Sequence, residues 1–426
     1  MPTNISGTTG IDKIQDGTVV NADIDTVDAG KLTGTVADAR ISALTASKLT
    51  GALPAISAAN LTSVPAANIT GTLPAISGAS LTGVNAVNTG RKNLIINGDM
   101  QVAQRGTSET GVTSLGYKQA PDRFIINYES AGTWTVSQST EAPEGFSNSY
   151  KFDCTTADAS LSADDYLRLD QKIEAQDLQH LKYGTANAES ITVSFWVRSA
   201  KTGTYTVELQ HGENPSTFRY AGLQYTINSA NTWEKKALTF SGQTANAINN
   251  DSGNGLEIHW YLAVGSAYTS GGYTAGTFRE SNGTSTRCSG QTANLADSTS
   301  NDWHITGVQL ELGSTATDFE HRSYGEELAL CQRYYHATQS AFISHAANGF
   351  VFNLQFPVAM RATPSQTHSY SGVANDVYKI SDAATPTFVP NGIFMDVNAL
   401  KHGYDHDGGF TAGAGYVTDW IFDSEI

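Results

Sequence analysis

Over residues 191–312 the chain repeatedly alternates apolar and polar positions with a period of two. In "ITVSFWVRS" (191–199) Ile191, Val193, Phe195 and Val197 fall on one side, with Thr192, Ser194, Trp196 and Arg198 on the other. That is the pattern of a strand with one buried face. "TYTVELQ" sets Tyr205, Val207 and Leu209 against Thr206, Glu208 and Gln210, and "GLEIHWYLAVG" sets Leu256, Ile258, Trp260 and Leu262 against Glu257, His259 and Tyr261. "TWEKKALTF" and "DWHITGVQLELG" predict two further strands. In the last, Trp303 and Ile305 alternate, and the phase then slips at Gly307 before Val308, Leu310 and Leu312. A β-bulge absorbs one extra residue at the least cost. The single helical segment here is "AQDLQHLKYG" (175–184). Strands this frequent, joined by Gly-, Ser- and Asn-rich loops, predict an all-β sandwich or jelly roll over residues 93–322.

Beyond it, "SYGEELALCQRYYH" predicts a short helix over 323–336, opened by a Ser323/Glu326 capping box. Leu328, Cys331 and Tyr335 share a face of that helix. The face fits two partners equally, a threefold axis or the chain's own sandwich. Alternation then resumes through Phe350, Phe352, Leu354 and Phe356, and again in "YVTDWIF", where Tyr416, Thr418, Trp420 and Phe422 oppose Val417, Asp419 and Ile421. Residues 337–426 are expected to form a small C-terminal β tip domain.

The N-terminal quarter is built differently. No Phe, Tyr or Trp precedes Tyr117, and no charged residue lies between Leu49 and Gly90. "LPAIS" at 53–57 returns at 73–77, and "LTG" or a variant recurs at Leu32, Leu49, Leu61, Ile69 and Leu81. Such a segment cannot bury enough apolar area alone to offset backbone ordering, about 1–2 kcal/mol per residue. A flexible linker fits the composition. The fixed spacing favours a repeat shaft over 31–92 in which identical chains intertwine. Pro54, Pro65 and Pro74 rule out a continuous helix, and residues 49–90 span at most roughly 140 Å when extended. Residues 1–30 belong to a charged stretch that looks like an anchoring end.

Composition narrows the function classes. Only 15% of the 426 residues are charged, and the net charge is −16. That sign is wrong for nucleic acid and for an anionic membrane surface. No run of transmembrane length and no signal-peptide layout is present, so synthesis in a cytoplasm without membrane insertion is expected. Three widely spaced cysteines, Cys154, Cys288 and Cys331, make neither a disulfide framework nor a zinc motif.

"NLIINGDMQVAQRG" (93–106), "LDQKIEAQDLQHLKYGTANAESITVSFWVRS" (169–199), "TWEKKALTF" (232–240) and "ITGVQLELGSTATDFEHRSYGEELALCQRYY" (305–335) resemble tail-fibre proteins of tailed bacteriophages, marine and cyanobacterial ones in particular. "ISGTTGIDKIQDGTV" and the "LTGTLPAI" repeats look like the N-terminal and shaft segments of the same proteins. The resemblance covers most of residues 1–335. It implies a homotrimeric fibre with a jelly-roll domain similar to carbohydrate-binding ones, made in the host cytoplasm, carried on the virion and attached through its N-terminus to a tail or baseplate protein.

Signatures of catalysis are poor. GxSxG, HExxH and Walker motifs are absent; adjacent carboxylates such as Asp164-Asp165 point apart on a strand, and in the pair Glu326-Glu327 the first is already engaged in the helix cap. "HGYDHDGG" (402–409) and "NNDSGNG" (249–255) read as polar loops before they read as metal sites. No catalytic residue, metal or cofactor is expected. Sugars present hydroxyls to charged groups and CH faces to aromatic rings. If the "SFWVRS" and "EIHWY" strands are neighbours, Trp196, Arg198, Glu257, His259 and Tyr261 form a sugar platform, with Tyr404 in the tip loop as a further candidate. Trp196 packing under a loop or against another subunit is the competing reading. The expected function is adhesion to host surface polysaccharide, lipopolysaccharide or capsule. A fibre that also cleaves its polysaccharide is the alternative, and a bacterial surface adhesin is disfavoured by the missing export signal.

Overall fold

The alternating segments become thirteen strands: β1 (Ser108–Val112), β2 (Gly116–Tyr117), β3 (Ile125–Glu129), β4 (Thr133–Ser139), β5 (Ser149–Thr156), β6 (Tyr166–Glu174), β7 (Ile191–Ser199), β8 (Gly203–His211), β9 (Arg219–Ile227), β10 (Glu234–Phe240), β11 (Asn254–Val264), β12 (Arg279–Glu280) and β13 (Asp302–Leu312). They form two sheets, one of six strands in the order β1-β4-β5-β13-β7-β10 and one of seven in the order β12-β9-β8-β11-β6-β3-β2. The computed structural model describes residues 91–212, 218–280, 287–346, 349–370, 373–374, 378–379, 393–403 and 414–426. The anchoring segment, the repeat shaft up to Gly90 and Tyr404 lie outside the described residues.

Each strand's apolar series turns inward, as the alternation requires. Ile191, Val193, Phe195 and Val197 from one sheet, and Leu256, Ile258, Trp260 and Leu262 from the other, are fully buried in one continuous core. Phe195 meets Trp260 edge-on across the two sheets, with ring centroids 6.0 Å apart. Burying a side chain of this size contributes about 1.5–3 kcal/mol. The bulge falls where the phase slips: the β13–β7 register shifts between Thr306 and Gln309, and Gly307 has φ +60°. Leu312 departs from expectation. It is 44% exposed, because the inward series is exhausted at the strand's last residue. The helical segment at 175–184 is a 3-10 turn over Ala175–Leu181. All three cysteines are buried free thiols.

Helix α1 (Tyr324–Gln332) has the Ser323/Glu326 capping box in place. It ends at Gln332, so Tyr335 starts the following strand instead of extending the helix. Cys331 and Tyr335 are buried within this chain. The C-terminal strands are β14 (Tyr335–Ala346), β15 (Gly349–Gln355), β16 (Ser365–Tyr370), β17 (Val373–Ala374), β18 (Tyr378–Lys379), β19 (Ile393–Met395), β20 (Ala399–Gly403) and β21 (Gly415–Asp423). They make a third sheet, β17-β16-β21-β14-β15-β20-β19, with β18 also on β21. Tyr416, Thr418, Trp420 and Phe422 are buried, as the alternation in "YVTDWIF" requires.

Charged side chains tie this sheet to the sandwich. Buried Glu174 accepts two hydrogen bonds from Arg333, each 2.7 Å, and one from the Tyr334 hydroxyl at 2.6 Å. These bonds outweigh burial and hold the Glu174 carboxyl below its ordinary range. Arg105 bonds Asp423 and Glu425 while stacking on Tyr335, and Arg123 pairs with Glu425 over the ring of Tyr334.

Candidate functional site

The single sugar platform expected from the sequence is split by the topology. β7 lies between β13 and β10, whereas β11 lies between β8 and β6 in the other sheet. Since both strands turn their apolar sides to the shared core, their polar sides point away from each other. Trp196 and Arg198 therefore occupy one outer face, and Glu257, His259 and Tyr261 the opposite one.

On the six-stranded sheet, Arg198 is the hub. Its Nε lies 2.8 Å from Glu141 Oε1, and its Nη1 donates to Asp302 Oδ2 at 3.0 Å. Among the described residues its Nη2 has no partner. His304, in register with Arg198, sits 3.4 Å from Asp302 and is met edge-on by Trp233 at 5.9 Å. Burial alone would raise the Asp302 carboxyl, but the hydrogen bonds from His304 and Arg198 dominate and hold it well below the usual carboxylate range. Ser149 Oγ also lies 3.1 Å from His304 Nδ1, but it donates to the Glu141 carbonyl and is fully buried, so it is no nucleophile.

Trp196 is half-buried, next to Gly307: a Cβ built there would stand 3.1 Å from Trp196 Cδ1 and 2.6 Å from the Phe146 ring. Phe146 continues into an aromatic group with Phe319 and His321, at centroid distances of 5.1 and 5.3 Å. Exposed Lys235 pairs in register with Trp196, and Trp233 is half-buried. This face thus presents two partly accessible indole rings around a guanidinium fixed by two carboxylates.

The other face is closed. Glu257 is 7% exposed, and His259 and Tyr261 are fully buried. The segment after β11 folds back over them: Tyr268 and Cys288 pack on Tyr261, and Tyr273 lies so near Gly222 that a side chain there would meet its hydroxyl. Underneath is a polar network that the sequence did not reveal. The Tyr261 hydroxyl accepts from Arg168 Nη1 at 2.9 Å and donates to Glu208 Oε2 at 3.2 Å. Arg287 donates to the same oxygen through Nε (2.8 Å) and Nη2 (2.5 Å). Burial would raise Glu208 and Glu257. Arg287 and His259 outweigh it at Glu208, His259 does so at Glu257, and both end at about 2. Asp170 is pushed up, since burial outweighs Arg168. Arg287 follows a Gly-Thr-Ser-Thr run, and nothing in that stretch marks it as a partner of strand residues far away in sequence.

No protein family matches the chain, and no curated protein does. Among solved structures it is similar to a candidate sugar-binding protein from Bacteroides thetaiotaomicron (13% identity over 52% of this chain and 100% of that one, TM-score 0.29). It is also similar to a family 11 carbohydrate-binding module from Clostridium thermocellum in complex with a β-1,3-1,4-mixed-linked tetrasaccharide (11% identity, 54% and 97% covered, TM-score 0.22). A family 30 carbohydrate-binding module gives 10% identity, 54% and 97% coverage and a TM-score of 0.24.

Proposed function

We propose that the chain is the receptor-binding protein of a bacteriophage tail fibre, and that it holds host surface polysaccharide on the outer face of the six-stranded sheet without cleaving it. The observation that carries this reading is the pair of half-buried indoles, Trp196 and Trp233, beside an Arg198 already fixed by Glu141 and Asp302. Rings of this kind stack on the CH faces of pyranosides, and an immobilised guanidinium donates to hydroxyls at little entropic cost. Asp302, held ionised by Arg198 and His304, is not itself the protonated acid that glycosidic cleavage requires. The opposite face is a poor alternative, because its predicted contributors are buried under the chain's own loop.

In this reading the N-terminal repeats of three chains form the shaft, residues 1–30 attach to a tail or baseplate protein, and three sandwiches act together on a repetitive glycan through avidity. The test is a glycan array that includes purified lipopolysaccharides and capsules, probed with the full chain. W196A, W233A and R198A should each lose binding while E257Q retains it. Undiminished binding by all three variants refutes the assignment of this face.

A further inference from the structure

The buried network on the seven-stranded sheet plays no part in the glycan reading, yet it has the construction of a binding centre. Glu257, His259 and Tyr261 of β11 stand in register with Lys172, Asp170 and Arg168 of β6, and with Gln210, Glu208 and Thr206 of β8. One ligand atom from each of Asp170, Glu257 and His259 lies within 4.8 Å of the others. We propose that these three side chains bind a divalent transition-metal ion, through His259 Nε2 and one carboxylate oxygen from each acid.

Two observations point there. First, the ligands are backed as metal ligands are. A metal-bound imidazole donates its second N–H to a carboxylate, which fixes the tautomer and raises ligand basicity. His259 Nδ1 faces Glu208 Oε2 at 3.4 Å, and Glu208 is itself gripped by Arg287. Asp170 is braced by Arg168 Nε at 3.0 Å and by Asn127 at 3.3 Å, and Glu257 by Asn254.

Second, the site has unspent acceptors. Asp170 Oδ1 and Glu208 Oε1 are buried with no hydrogen-bond partner among the described residues, and the two side chains are 1% and 0% exposed. An unpaired carboxylate oxygen at such depth is costly unless a cation or donor meets it.

One imidazole with two carboxylates suits zinc and its first-row neighbours, whereas calcium takes oxygen ligands throughout. Without an ion, the 2.9 Å approach of His259 Nε2 to Glu257 Oε2 is an ordinary hydrogen bond, and Nδ1 is free to accept from Arg168 and Arg287, each 3.3 Å away. With an ion on Nε2, the ring proton moves to Nδ1 and is donated to Glu208. Such a centre would pin β6, β8 and β11 together beneath the loop that covers them.

The experiment is calorimetric titration of the EDTA-treated full chain with Zn2+ and, separately, Ca2+, together with the absorption spectrum of the Co2+ form. One Zn2+ per chain, a raised Tm and no comparable Ca2+ binding are expected. H259A and the near-isosteric D170N should abolish the site, E208Q should weaken it about 10–100-fold, and W196A should leave it intact. Absence of Zn2+ binding by the wild type overturns the proposal. So does unchanged binding in D170N and H259A, since the ion would then sit elsewhere.

Discussion

Replacing Gly307 by alanine tests the link between the bulge and the glycan face. The residue has φ +60°, and its Cβ would stand 2.6 Å from a ring carbon of Phe146 and 3.1 Å from Trp196 Cδ1. A left-handed conformation costs a non-glycine residue about 1 kcal/mol. The contact with Phe146 cannot be relieved freely, because that ring already packs on Phe319 and His321. Overpacking of this kind costs about 1–3 kcal/mol, which brings the total to about 2–4 kcal/mol. In a folded unit of this size that lowers Tm by on the order of 5–15 °C. Trp196 has to move with the intruding methyl, so polysaccharide affinity should fall about fivefold, the equivalent of one lost aromatic stacking contact of about 1 kcal/mol. Differential scanning calorimetry and glycan titration of the same preparation read both effects. A G307A chain melting within about 2 °C of wild type would falsify the account of a bulge closed around glycine. Lowered stability with unchanged affinity would detach the bulge from the binding face.

Other perturbations have defined outcomes. E174A removes the acceptor of Arg333 and Tyr334 at the junction with the third sheet; a broken buried pair costs about 3 kcal/mol, and denaturant unfolding should show that loss, whereas unchanged stability would make the junction incidental. Glu208 and Glu257, held at about 2 instead of the ordinary 4.5, contribute stability that is complete above the ordinary value and is lost as pH falls toward 2. The urea midpoint should therefore drop between about pH 5 and pH 3, and drop less in the E208Q/E257Q double variant; parallel curves would contradict the assignment. Light scattering of the full chain should give three chain masses, and a monomer would return residues 31–90 to the role of a linker.

What was legible in the sequence was strand phase. Val193, Phe195, Ile258 and Trp260 sit where a period of two puts them, because a single core dictates the inward side of every strand. The Gly307 slip and the Ser323/Glu326 cap were legible for the same reason: each is a local device with local residues. Strand pairing was not. β13 pairs with both β5 and β7, and β6 pairs with β11, across separations that carry no periodic signal. The division of the expected platform follows directly, since phase assigns a side of a strand but not the sheet to which the strand belongs. Exposure was misread for a related reason. Glu257, His259 and Tyr261 do face away from the core, but the chain after β11 doubles back over them, and its aperiodic Ser-, Gly- and Thr-rich residues give no sign of it. Tyr261 is consequently a structural residue, and its removal would disrupt the Arg168–Glu208 network.

On the proposed function, polysaccharide lies on the six-stranded face. Hydroxyl-radical footprinting of the full chain, with and without a polysaccharide that it binds, addresses that claim residue by residue. Trp196 and Trp233 should lose reactivity on binding while Tyr273, over the opposite sheet, keeps it. Protection of Tyr273 with no change at Trp196 and Trp233 would contradict the claim and move the glycan to the seven-stranded side.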